Sequence, residues 1–172
     1  THIDELEKVT ARNGIPYELV VAILGMETNF ASSAHKGRYY VFNSLVSQYI
    51  LMEKRRPFAV EQLFHLYEFT RKTETDVFYY IGSFAGACGW AQFIPSSLNR
   101  FFIDARDIPE DIDIYDLDDT LHSIENYLYN SGLDEGTSWL KQSRWDAVYS
   151  YNRSSAYVEA VLYIFDSLIA QY

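Results

Sequence analysis

Residues 19–24 run Leu-Val-Val-Ala-Ile-Leu without a polar interruption, and elsewhere apolar residues recur at intervals of three and four. That spacing is helical, because side chains three and four apart share one face of a helix. Pro16 fits a first turn, where a missing N–H costs nothing, so a helix is predicted over 16–29, with an apolar middle that makes it central to the fold. A first short helix is predicted over 4–12, stopped by the pair Asn13-Gly14. Others follow over 41–54, closed by Lys54-Arg55-Arg56-Pro57, and over 58–72, 95–104, 117–130, 144–150 and 155–170. With no alternating strand pattern, internal repeat or dividing linker, the expectation is an all-α fold and one compact domain over 1–172.

Two stretches resist the helical pattern. One is the small-residue loop 31–37. The other is Gly82-Ser83-Phe84-Ala85-Gly86-Ala87-Cys88-Gly89-Trp90-Ala91-Gln92, which holds three of the eight glycines and is predicted to be a tight turn passing close to something, whether chain or ligand. An acidic run from Asp104 to Asp119 invites a calcium loop. Its aspartates miss the alternate positions of a helix-loop-helix calcium site, Pro109 interrupts them and no central glycine is present, so the expectation is a solvated loop capping the helix at 117, with no metal.

Composition narrows the function. The net charge of −10 leaves too little basic surface to neutralise phosphates, which excludes nucleic acid. Cys88 is alone, so neither an intramolecular disulfide nor a thiolate metal site can form, and with no base or cation beside it in sequence it is expected to be a small buried hydrophobe. No apolar run could span a bilayer and the N-terminus does not resemble a signal peptide; an export signal or lipid anchor is expected to lie outside this sequence. Among the 29 aromatic residues, 15 of them Tyr, most should fill the helical core, although aromatic faces also stack on sugars.

Glu27 is the one ionisable position between Glu18 and His35, and it continues the face of Val20, Ile23 and Leu24. Burial and the negative end of its helix should both raise its pKa, and a carboxyl still protonated near neutrality can donate to a leaving glycosidic oxygen. A glutamate holding buried polar groups together would fit this pattern equally well.

The string Gly25-Met26-Glu27-Thr28, followed by Gly82–Ser97 and then by Ser150-Tyr151-Asn152-Arg153-Ser154-Ser155-Ala156-Tyr157, resembles the lytic murein transglycosylases of the B type. The resemblance spans about 14–168 and is most specific over 83–97. It implies a lysozyme-like helical domain, needing no cofactor, that cleaves the β-1,4 bond between N-acetylmuramic acid and N-acetylglucosamine by attack of the muramyl C6 hydroxyl. Glu27 would be acid and then base; Ser83 and Gln92 would line the groove; Tyr151 and Asn152 would face the carboxyl, and Tyr157 would support it. The chain departs from the family at Phe30-Ala31, Cys88, Trp90-Ala91 and Arg153, which bears on subsite shape.

The expected partner is therefore the peptidoglycan glycan strand, met by a monomer in the periplasm or cell envelope. Because the stem peptides of that polymer carry carboxylates, a chain of net charge −10 must hold it by local contacts. Two alternatives stay open: a hydrolytic goose-type muramidase, which generally needs a second carboxylate, and a non-catalytic peptidoglycan-binding domain.

Overall fold

A computed structural model describes residues 2–30 and 37–170. Its helices are α1 (His2–Asn13), α2 (Tyr17–Thr28), α3 (Val41–Leu51), α4 (Arg56–Lys72), α5 (Pro95–Phe101), α6 (Leu117–Asn130), α7 (Lys141–Tyr151) and α8 (Ser155–Ile169). The expected all-α class holds. Leu19, Val20, Ala22 and Ile23 are wholly buried, because α2 lies against α1, α6 and α8. A helix apolar on every side has no face that water can solvate, so its neighbours must enclose it. α3, α4 and α5 pack beside this centre.

The structure adds a short antiparallel pair between β1 (Tyr39–Tyr40) and β2 (Ile81–Gly82), with Tyr39 opposite Gly82. Strands of two residues are too short for alternation to register in a sequence. Apart from Gly37, the expected loop at 31–37 lies outside the described residues.

Helix ends differ where tertiary contacts decide them. α5 stops at Phe101, short of 104, because the Ile103 N–H leaves the helix to donate to Ser123 Oγ of α6 at 2.9 Å. α3 stops at Leu51, and a separate 3-10 turn spans Glu53–Arg55. α7 begins at Lys141 behind Leu140, which offers no side-chain cap for a sequence rule to detect.

The acidic run is built into the backbone. Asp116 caps α6 by accepting from the N–H groups of Asp118 and Asp119, as expected of a capping loop. Asp104 accepts from the N–H groups of Arg106 and Ile108, and Asp119 from those of Ala105 and Asp113. The Arg106 guanidinium bridges Asp104 and Asp111 at 3.1 and 2.9 Å. Among the described residues no group of side chains is arranged to hold a metal ion.

Where α6 meets α1, His122 Nε2 stands 2.9 Å from Glu5 Oε1, and Asn13 donates to Glu125 Oε2 at 3.2 Å. The other Glu125 oxygen is buried without a partner. Burial lifts this carboxyl to about 7, against the pull of Asn13 and of the Arg12 charge. A carboxyl raised in the folded state favours folding below its ordinary value, and that contribution is lost as the pH rises through about 7. Glu125→Gln should match the parent in urea unfolding at pH 4 and exceed it at pH 8 by on the order of 2 kcal/mol. Equal stabilities at pH 8 would show that the ionised carboxylate is not penalised there.

Candidate active site

Glu27 occupies the last turn of α2, half-buried, and Tyr157 Oη donates to its Oε1 at 2.6 Å. Burial raises the Glu27 pKa and the tyrosine hydrogen bond draws it part of the way back, leaving it above the ordinary carboxylate value. Tyr157 arrives there through the start of α8, where Ser154 accepts from the Tyr157 N–H, and through the packing of α8 on α2. Burial and the nearby Glu27 charge push the Tyr157 hydroxyl far above its usual range, so it remains a donor.

Tyr151 ends α7. Its hydroxyl donates to the Ala91 carbonyl at 2.5 Å, while its ring packs on Phe93 and Tyr127 with centroids 5.5 and 4.8 Å away. The hydrogen bond to Glu27 is made by Tyr157. Tyr151 still senses the carboxyl, since burial first and the Glu27 charge second raise its pKa well above the ordinary value.

The glycine segment is a closed turn. Gly82 bridges to Cys88 and Cys88 to Phe93, and the Ser83 N–H donates to the Ala87 carbonyl at 2.8 Å. Gly82 cannot carry a side chain, because a Cβ there would lie 2.1 Å from the Ala87 oxygen. The expected close approach is to the end of the acidic run: a Cβ on Gly89, whose φ is +71°, would lie 2.7 Å from the Ile114 oxygen, and the Trp90 indole donates to the Tyr115 carbonyl at 2.8 Å. Cys88 is buried, and burial pushes its thiol up to about 12, which leaves it unreactive as a nucleophile.

Ser83 Oγ accepts from the Ala87 N–H at 3.2 Å, which leaves its own proton available. Gln92 takes a left-handed φ of 48° and donates from Nε2 to the Gly89 carbonyl at 2.8 Å. It lines a cleft of about 210 Å3 with Phe93, Ser97, Tyr127, Ser150 and Tyr151. Asn152, exposed, follows α7 and holds its backbone N–H on the Val148 carbonyl. Thus Tyr157 touches Glu27 and the Tyr151–Ala91 bond ties the turn to α7, while the hydrogen bonds of Ser83, Gln92 and Asn152 described above go to the backbone and not to the carboxyl.

Tyr127 escaped the sequence reading. Its ring is wedged among Phe93, Phe101 and Tyr151, and its hydroxyl donates to the Ser150 carbonyl at 2.7 Å. It sits in an ordinary amphipathic helix, where nothing but a position on the apolar face marks it.

Residues 1–144 match the family described as the transglycosylase SLT domain. The chain belongs to that family. Membrane-bound lytic murein transglycosylase B of Escherichia coli (strain K12) is 29% identical over 133 residues, covering 77% of this chain and 36% of that protein. The chain therefore spans about a third of the length of this curated relative. In structure the transglycosylase domain resembles catenated lytic transglycosylase SltB1 from Pseudomonas aeruginosa, with a TM-score of 0.86 over 99% of this chain and 75% of that one; at 20% identity this is a likeness of fold. SltB3 of the same organism, solved in complex with NAG-anhNAM-pentapeptide, gives a TM-score of 0.84 at 26% identity over 96% of this chain and 60% of that one.

The hydrogen bond from Tyr157 favours the ionised form of Glu27, so its removal must raise the carboxyl's pKa further. Tyr157→Phe should move the Glu27 midpoint upward from that of the parent. Carbon-13 NMR titration of the glutamate carboxyls, with Glu27→Gln identifying the resonance, reads this; an unchanged midpoint would mean that the bond does not persist in solution.

Proposed function

We propose that this transglycosylase domain is a lytic enzyme of peptidoglycan, cleaving the β-1,4 bond between N-acetylmuramic acid and N-acetylglucosamine and leaving a 1,6-anhydromuramyl end. The observation that carries the reading is the half-buried Glu27, whose ionisation is set by burial and the Tyr157 hydroxyl, with no second carboxylate acting on it among the described residues. Hydrolysis generally calls on a second carboxylate, as nucleophile or as base for water; attack by a hydroxyl of the substrate does not.

Neutral Glu27 gives its proton to the glycosidic oxygen as the bond to muramyl C1 breaks. The carboxylate thus formed accepts the proton of the C6 hydroxyl, whose oxygen closes on C1. Glu27 ends the cycle protonated, and no water is consumed. Tyr157 steadies the carboxylate between the two transfers through Oε1, leaving Oε2 for the proton. Ser83, Gln92 and Asn152 supply donors and acceptors for the hydroxyl and acetamido groups, and Tyr151 holds the Ala91–Gln92 backbone in place.

The E. coli relative bears the name of a murein transglycosylase, and the SltB3 complex contains an anhydromuramyl sugar, both in keeping with this chemistry. Such a substrate implies work in the bacterial envelope. Among the described residues no helix is long and apolar enough to cross a membrane.

Product analysis tests the proposal. Mass spectrometry of digested glycan strands should find 1,6-anhydromuramyl ends with the parent, and Glu27→Gln should slow their release by about 100-fold or more. Reducing muramic ends alone would make the domain a muramidase, and unimpaired cleavage by Glu27→Gln would remove the glutamate from the mechanism.

A further inference from the structure

The reaction just described leaves unused a pocket of about 390 Å3 at the far end of α2 from Glu27, lined by Thr10, Pro16, Tyr17, Glu18, Glu135 and Trp139 among others. Tyr17 opens α2 and Glu27 stands in its last turn, so about 15 Å of helix separates the two places. The frame of the pocket is fixed backbone. A Cβ on Gly14, whose φ is +73°, would lie 2.5 Å from Glu135 Cβ, the buried Ser138 hydroxyl donates to the Gly14 carbonyl at 3.2 Å, and the Tyr17 N–H donates to Thr10 Oγ1 at 2.9 Å. These contacts clamp the loop between α6 and α7 on the corner between α1 and α2, so the pocket is formed before any ligand arrives.

Charge and ring chemistry point to the kind of ligand. Glu18 and Glu135 line the pocket, no basic residue does, and neither carboxylate has a hydrogen-bond or ion-pair partner among the described residues. The arginines of the neighbouring helices are engaged elsewhere: Arg12 with Asp107 at 2.8 Å, and Arg144 with the Phe165 ring at 4.9 Å and the Ser138 carbonyl at 3.1 Å. Trp139, 57% exposed, and Tyr17 add ring faces that attract positive charge. A metal ion is poorly served, since calcium and magnesium ask for about six oxygen ligands and no group of side chains among the described residues is arranged to hold one. An organic cation uses both the carboxylates and the rings. Ionised carboxylates only accept hydrogen bonds, so the cation must donate them, which a primary ammonium does and a quaternary one cannot. The volume leaves room for an alkyl stem, whose methylenes can lie along the aromatic surface as a lysine's do.

We propose that this pocket is a second binding site, which takes an aliphatic primary amine with its ammonium on the Glu18 and Glu135 carboxylates and its methylene stem on the Trp139 and Tyr17 rings. None of these residues takes part in the proton transfers at Glu27, and the site does not depend on the reaction there. A free diamine and the lysine side chain of a polypeptide share the chemistry it recognises.

Calorimetric titration at neutral pH and low ionic strength tests it with two amines, 1,5-diaminopentane and Nα-acetyl-lysine methylamide, and with tetramethylammonium as the cation that cannot donate. At least one amine should bind with a Kd of about 1 mM or lower and weaken as salt is added, and tetramethylammonium should bind at least about tenfold more weakly. Glu135→Gln should weaken the amine at least about fivefold, and Trp139→Ala about threefold or more. Both side chains are exposed, so neither substitution should move the urea unfolding midpoint. Tighter binding of the lysine amide would identify a polypeptide lysine as the occupant and tighter binding of the diamine a free amine, each in support of the site. No saturable binding of either amine below about 10 mM, equal affinity for tetramethylammonium, or unchanged amine affinity in both variants would overturn the proposal.

Discussion

The arrangement depends on a carboxyl placed at the end of a helix with no polar side. Enclosing α2 requires neighbours all around it, and that enclosure reaches as far as Glu27 in the last turn. Left without a donor, the ionised carboxylate would be too costly to keep there. Tyr157 answers this from α8, so the contact that completes the core also prepares the acid. A hydroxyl donor can follow the carboxyl through both protonation states; an arginine in its place would hold it ionised and unable to donate.

The glycine turn is the second fixed element of the site, tied to it through Tyr151. Its shape comes from two backbone contacts that leave no room for a Cβ, one within the turn at Gly82 and one against Ile114 at Gly89. The acidic run thereby gains a purpose other than ligand binding: its aspartates fold a loop whose end presses the turn into position. Tyr151 then fastens the turn to α7 through the Ala91 carbonyl.

Glu27 and Glu125 show why a raised pKa does not mark a catalytic group by itself. Burial lifts both. Glu125 is sealed between α6 and α1, with Asn13 on one oxygen and no partner on the other. Glu27 is only half-buried, at a helix end, with one oxygen on the Tyr157 hydroxyl. Access to a ligand separates the two, and access is a property of the assembled surface.

The sequence by itself determined the helices, the central place of α2, the isolation of Glu27 and the tightness of the glycine turn. Each follows from the spacing of apolar residues or from backbone freedom, which are local matters. Only the tertiary structure decided that the Tyr151 hydroxyl goes to the Ala91 carbonyl while that of Tyr157 goes to Glu27, and that α5 yields its last turn to Ser123. The two tyrosines are six positions apart on different helices, and only the crossing of α8 over α2 chooses between them. Nothing local distinguishes one phenol from the other; their distances from Glu27 are set by the way distant helices pack.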